Sequence, residues 1–371
     1  MYFTNCTAYT MTERGILDSA VIGFHHGEII DVNTQPDSVD TVGTYINLNG
    51  AVVTPGFIDL HTFGGQLPDN RSDAYATKMA DHISFTSRQI TSPLSHGITS
   101  LAVRPPADSL FGGLSALVLV YPDSEGNVIV LEDSLDYQIS LLGAGWQTRH
   151  LQPQDTNAEM RDLYRLREAI RQLENPAYQN IDFSPLDERE MFVKVIAENI
   201  PIYLLIDNPL HYQFVPDLLQ QQDIRYYYGY CSHLVKFLDT QKPRSIKNFP
   251  GIVLGPSTFG NMEDSGRFYS IPSVLTEFGL HYALTTYAPV SPQWSLRHKA
   301  RRVQQYGVSE TEALAAITST PGKYVSSDSV NIGTIQPGAM ANLLIFTESP
   351  LAITSELTAT WVKGIQVWSA E

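Results

Sequence analysis

One stretch, Thr54-Pro55-Gly56-Phe57-Ile58-Asp59-Leu60-His61-Thr62-Phe63-Gly64-Gly65, constrains the fold of this 371-residue chain more than any other. An apolar run enters it through a Pro-Gly step, and it ends in an acid, a histidine and two glycines. That order of residues suits a buried strand whose carboxyl end opens into a polar site. Side chains alternate along a strand, so His61 and Phe63 share one face. Two imidazoles at this spacing grip a single metal ion, but a phenyl ring has no lone pair to donate, so this pair does not chelate. A lone histidine near a strand end is also an ordinary hydrogen-bonded core residue.

The remainder of the chain alternates between strand and helix periodicity. Before residue 54 it breaks into short β-type runs: residues 20–24 pass through His25-His26-Gly27 into residues 28–32 as a hairpin, and Asn49-Gly50 marks a further turn. The adjacent imidazoles of His25 and His26 point to opposite faces of a strand, so they read as a turn-flanking pair and not a metal site. Residues 96–103, 200–206, 252–255 and 282–286 read as buried strands, and residues 158–174 and 185–197 as amphipathic helices. Ser309 with Glu312 three residues on is a capping-box start to another helix.

With 43% hydrophobic and 17% charged residues the composition is that of a soluble globular protein with a large core. The net charge of −15 argues against nucleic acid or an anionic membrane as partner. Cys6 and Cys231 stand far apart, which leaves no disulfide framework and no cysteine zinc site. No run is long and apolar enough to span a membrane and no signal-peptide pattern opens the chain, so the cytoplasm is the expected compartment.

Three local patterns carry a family resemblance. The first is Pro55-Gly56-Phe57-Ile58-Asp59-Leu60-His61. The second is Gly97-Ile98-Thr99-Ser100 leading through Pro105 to Gly112-Gly113, and the third is Thr285-Thr286-Tyr287-Ala288-Pro289. In this order they resemble the amidohydrolase superfamily, in particular its imidazolonepropionase-like branch. The run Gly333-Thr334-Ile335-Gln336-Pro337-Gly338-Ala339-Met340-Ala341-Asn342-Leu343 is similar to the segment that returns such chains to a small β domain. The resemblance implies an α/β fold: a (β/α)8 TIM-like barrel over residues 55–330, with a small β-sandwich built from residues 1–54 and 331–371. It also implies one or two divalent metals such as zinc and hydrolysis of non-peptide C–N bonds.

Matched position by position, the metal-touching residues of that family are replaced. Phe63 stands for the second histidine of the first strand, Leu119 for the metal-binding lysine, and Leu205 and Asp207 for histidines of a later strand. Tyr228 stands for the next strand's histidine, and Tyr287 for the aspartate that serves as general base. Asp59 and His61 remain. The vestigial site expected at the barrel mouth is therefore Asp59, His61, Phe63, Leu119, Leu205, Asp207, Tyr228 and Tyr287, with no metal ligand set, no confident catalytic residue and no cofactor. Large apolar and aromatic replacements of this kind fill a vacated cavity.

The leading expectation is an amidohydrolase-like chain that has lost metal-dependent hydrolysis and acts as a non-catalytic subunit, with a ligand-complete homologue or further copies of itself as partner. One alternative is C–N hydrolysis through a relocated or metal-free site using residues such as His61, Asp207 and Tyr287; a different metal site would need two or three of His61, His82, His96, His211 and His233 to converge with Asp59 or Asp207. Another is a small-molecule binding protein.

Overall fold

The computed structural model describes residues 1–34, 43–63, 75–107, 109–122, 128–142, 156–173, 187–231, 233–241, 250–255, 261–262 and 268–370. Gly64 and Gly65 of the opening motif lie outside the described residues.

The amino-terminal part contributes β1 (Tyr2–Tyr9), β2 (Ile16–His25), β3 (Glu28–Asn33), β4 (Tyr45–Asn47) and β5 (Val52–Pro55). The hairpin read at His25-His26-Gly27 is the β2–β3 turn, with His26 and Gly27 both at positive φ. Through Gly56 the chain passes directly into β6 (Phe57–Thr62). A Cβ at Gly56 would overlap the Thr99 side chain, so only glycine lets the two strands pass this closely. Next come α1 (Ser87–Leu94), started by a Thr86–Gln89 capping box, and β7 (Ile98–Val103).

The chain then departs from the expected helix-strand alternation. β8 (Phe111–Leu114) and β9 (Ala116–Pro122) follow β7 with no intervening helix among the described residues, and β10 (Val128–Glu132) folds back on β9. β9 runs antiparallel to β7, and β8 antiparallel to β11 (Tyr137–Ser140). The strand after β7, β8, joins β11 in the other sheet, and β9 then returns beside β7 in the opposite sense, where a parallel neighbour would need a long crossover.

Regular alternation follows: α2 (Thr156–Gln172), α3 (Glu188–Ala197), β12 (Ile202–Ile206), α4 (Pro209–Gln220), β13 (Tyr226–Tyr230), α5 (Leu234–Gln241) and β14 (Gly251–Leu254). A short β15–β16 pair (Asn261–Met262, Phe268–Tyr269), α6 (Ile271–Glu277) and β17 (Ala283–Leu284) come next. Then α7 (Ser295–Gln305), α8 (Glu310–Ala315) with its Ser309–Glu312 capping box, and α9 (Ser319–Val325) lead to β18 (Leu343–Phe346), β19 (Leu357–Val362) and β20 (Ile365–Ser369).

β11, β12, β13, β14 and β17 lie side by side in parallel, as do β6 and β7. The edges of these two sheets meet where Thr62 bridges Ala288 in parallel and the Phe63 amide donates to Ala288 O at 2.8 Å. Strands of the two termini join as expected, but in one eight-stranded sheet, order β20-β19-β18-β5-β1-β2-β3 with β4 on β1, and not as two separately hydrogen-bonded sheets among the described residues. Its inner face packs Phe3, Ile22, Phe24, Val53, Leu343 and Trp361. Among the described residues no helix is long and apolar enough to cross a membrane.

Candidate functional site: an aromatic cluster around His61

β6 delivers His61 and Phe63 to the same place, as the alternation of a strand requires: their rings are 4.8 Å apart, edge to face. Tyr287, three residues past β17, stacks on the imidazole at 3.7 Å, and its ring lies 6.5 Å from that of Phe63. The Tyr203 hydroxyl reaches His61 Nδ1 at 3.1 Å and the Tyr287 hydroxyl at 3.1 Å. His61, Tyr203 and Tyr287 are all fully buried. His61 Nε2 has no hydrogen-bond partner among the described residues. Burial, with the Arg104 charge adding to it, holds the imidazole well below its usual value, so it is neutral. Burial pushes both phenols far up.

Beneath this cluster lies an ion pair with no solvent contact. Arg104 follows β7 directly and its Nη1 sits 2.5 Å from Asp136 Oδ1, both side chains at 0% exposure. Arg104 also donates to Leu60 O, Ser115 Oγ and the Tyr227 hydroxyl, and its guanidinium lies 3.5 Å from the Tyr203 ring centre. Asp136 accepts from Ser115 Oγ and the Tyr227 hydroxyl as well. All three guanidinium nitrogens and both carboxylate oxygens thus have hydrogen-bond partners, which offsets the cost of burying the pair. Gly229 makes room: a Cβ there would overlap Tyr203 and Leu205.

Asp59 sits at the seam between β6 and β17. It accepts from the hydroxyls of Thr285 and Thr286 and from the Thr286 amide. Burial raises its carboxyl above the usual range, against the pull of those donors. Lys299 of α7 donates to Thr285 O at 2.7 Å, and burial pushes its ammonium down to about 8. This network ties strand edges together.

Of the sequence-derived site, the structure therefore gathers His61, Phe63 and Tyr287, with Leu205 in the same apolar cluster and Asp59 alongside. Three positions fall elsewhere. Leu119 lies opposite Ser100, toward the amino end of β7 and away from Arg104, because β9 runs antiparallel. Tyr228 pairs with Leu204 and turns its ring to Tyr212 of α4 and to Tyr226; Tyr227, in register with Tyr203, is the one that faces inward. A one-residue slip along a strand exchanges its faces. Asp207, just past β12, pairs with His233 Nδ1 at 3.0 Å and raises that imidazole's pKa.

Arg104, Ser115, Asp136, Tyr203 and Tyr227 are site residues that the sequence reading did not assign, whereas His233 beside Asp207 is one of the convergences it named. A charged residue directly after a wholly buried strand is the signal that marks Arg104; its partner, 32 residues on, has none.

The donor set around His61 does not fit a metal sphere. The groups against the imidazole are a phenyl ring and two neutral phenols, and phenols are poor ligands at neutral pH. Among the described residues no three His, Cys, Asp or Glu side chains gather into a ligand set.

No family model matches the sequence, and no curated protein matches it. Solved structures do. The chain is similar to an amidohydrolase from Thermotoga maritima MSB8, with TM-score 0.79, 17% identity and 100% of both chains covered. It is similar to a beta-aspartyl dipeptidase from Fervidobacterium islandicum AW-1 in complex with beta-Asp-Leu dipeptide, with TM-score 0.59, 13% identity, and 99% and 96% of the two chains covered. A prolidase complexed with N-methylphosphonate-L-proline gives TM-score 0.58 at 14% identity, over 100% and 99%. At these identities the likeness is one of fold, and the chain has the fold of amidohydrolase-superfamily structures, as the strand-end motifs of its sequence imply.

Proposed function

We propose that this chain is an amidohydrolase-fold protein that has lost metal-dependent hydrolysis of C–N bonds and serves as a non-catalytic subunit beside a ligand-complete homologue. In this reading the two sheets joined at Thr62 and Ala288 close into a barrel over residues 55–330, and the sheet of residues 1–54 and 331–371 is a composite second domain.

The observation that carries the reading is the packing of His61. Tyr287 stacks on its ring, Phe63 packs edge to face against it at roughly a right angle to that stack, and its Nδ1 is taken by Tyr203. A water-activating metal needs convergent lone pairs and an open coordination position; here aromatic carbon occupies that space. An exposed apolar groove of about 450 Å³ between α2 and α4, which includes Met160, Tyr164 and Phe214, offers a subunit role the kind of surface an interface covers.

Elemental analysis of chain purified without chelator and then equilibrated with zinc or manganese tests the first half. Folded protein with far less than one metal per chain is expected, and one tightly held equivalent overturns the reading. Affinity purification from the native source tests the second half: a ligand-complete homologue is expected, and a stable homo-oligomer without one counts against the role.

One observation favours hydrolysis through a relocated site. Asp207 and His233 follow β12 and β13, neighbouring parallel strands, and the half-exposed imidazole holds its proton more tightly because of the carboxylate. A carboxylate-oriented histidine is a general acid-base arrangement. His233→Ala abolishing a measured amidase or esterase activity, with the fold intact, would favour this reading over the first.

A further inference from the structure

A second cleft shares no lining residue with the His61 cluster. It lies among the β2–β3 turn, the β19–β20 turn and the β9–β10 pair, and has a volume of about 440 Å³. That is within the usual range for a small-molecule site.

Sequence builds it from two hairpin tips of the same design. His26-Gly27 and Lys363-Gly364 both have positive φ at both positions, 49° and 86° in the first and 49° and 71° in the second. Each hairpin therefore reverses in two residues. The tips touch: a Cβ at Gly27 would stand 3.2 Å from Lys363 Cβ and 3.3 Å from its Cε, so the lysine stem crosses the glycine. The ammonium end is thereby carried along the tip that bears His25 and His26, whose rings lie 3.8 Å apart and not on opposite faces as strand alternation predicts, because His26 lies past the end of β2 at positive φ.

Three nitrogen bases thus line one cleft on a chain of net charge −15. No acidic side chain lines it among the described residues, and Lys363 forms no ion pair with a described residue. An anion bound here meets the Lys363 ammonium and imidazole N–H donors, with no carboxylate among the described lining residues to repel it. Tyr121, Ile129 and Ile365 supply an apolar wall.

We propose that this cleft binds a small carboxylate carried on an apolar body, with Lys363, His25 and His26 holding the carboxylate and Tyr121, Ile129 and Ile365 covering the rest.

The test is a titration of the full chain with benzoate, followed by NMR on the ring protons of His25 and His26, beside inorganic phosphate and benzyl alcohol. Saturable shifts are expected with benzoate, weaker binding with phosphate, and none with benzyl alcohol. His26→Asn and Lys363→Asn keep a residue that tolerates the left-handed turn; each is expected to weaken benzoate about tenfold, the worth of one charge-assisted contact, at an unchanged unfolding midpoint. Shifts that do not saturate, equal affinity in both variants, or phosphate or the alcohol binding as tightly as benzoate would each overturn the proposal.

Discussion

Tyr287 lies nearly flat on His61, with ring centres 3.7 Å apart and planes 18° from parallel. The contact joins the end of β6 to the residues after β17, across the same seam that Asp59 ties through Thr285 and Thr286. His61 and Tyr287 are thereby built into the packing of the seam between the two sheets.

His61 makes stability depend on pH. Its folded pKa is held well below 6.5, so an unfolded chain takes up a proton near 6.5 that the folded chain refuses. Stability contributed this way is complete above 6.5 and is lost as pH falls below it, by at most about 1.4 kcal/mol per pH unit. Asp59 acts in the opposite sense: its raised folded pKa removes stability as pH climbs above 3.8. His61→Asn deletes only the histidine part. Urea midpoints at about pH 5 and about pH 7.5 should differ less in the variant than in the parent, and an unchanged difference would sink the idea.

Breaking the Arg104–Asp136 pair should cost far more than removing it. Arg104→Met or Asp136→Leu alone leaves a buried partner uncompensated, at roughly 3–5 kcal/mol. The double variant Arg104→Met with Asp136→Leu should be less destabilised than the sum of its singles. Chemical denaturation of the four proteins measures the coupling, and strict additivity would show that the two groups do not act as a pair.

How much of this was legible in the sequence depended on how local each signal was. The hairpin at His26-Gly27 and the helix start at Ser309 are set by neighbouring residues, and both stand as read. His61, Phe63 and Tyr287 were reachable because each follows or ends a short punctuated strand. Tyr228 was not, because three consecutive tyrosines give no parity; only the register with Tyr203, fixed across two strands, chooses Tyr227. Leu119 failed for a related reason: nothing within residues 111–122 says that they return antiparallel to β7. The Arg104–Asp136 pair is a relation between strands, and apolar patterning along either one does not contain it.

Gly229 should tolerate no side chain. It pairs with Leu205 in the β12–β13 ladder, and a methyl group there meets both Tyr203 and Leu205. Gly229→Ala forces the tyrosine off His61 or bends the strand, at roughly 1–3 kcal/mol for overpacking. The readout is a lowered thermal midpoint together with a change in near-ultraviolet circular dichroism, which reports the stacked rings. Both unchanged would mean that the cluster is looser than its contacts imply.

Phe63→Ala would only open space; Phe63→His asks whether one residue is what separates this chain from a metal-binding relative. It recreates the histidine pair of a strand end, and the two imidazoles would again share a face. Two donors alone make a weak site, because the other neighbours of His61 are the rings of Tyr203 and Tyr287. Moreover, a metal at His61 Nδ1 would displace the Tyr203 hydroxyl, and one at Nε2 would find no third ligand among the described residues. The expected outcome is a folded variant that retains no zinc after desalting, with stability reduced by about 1–3 kcal/mol for placing a polar ring in an apolar cluster. One zinc retained per chain would mean that Phe63 alone keeps His61 from holding a metal, and that the aromatic packing around His61 yields to a ligand.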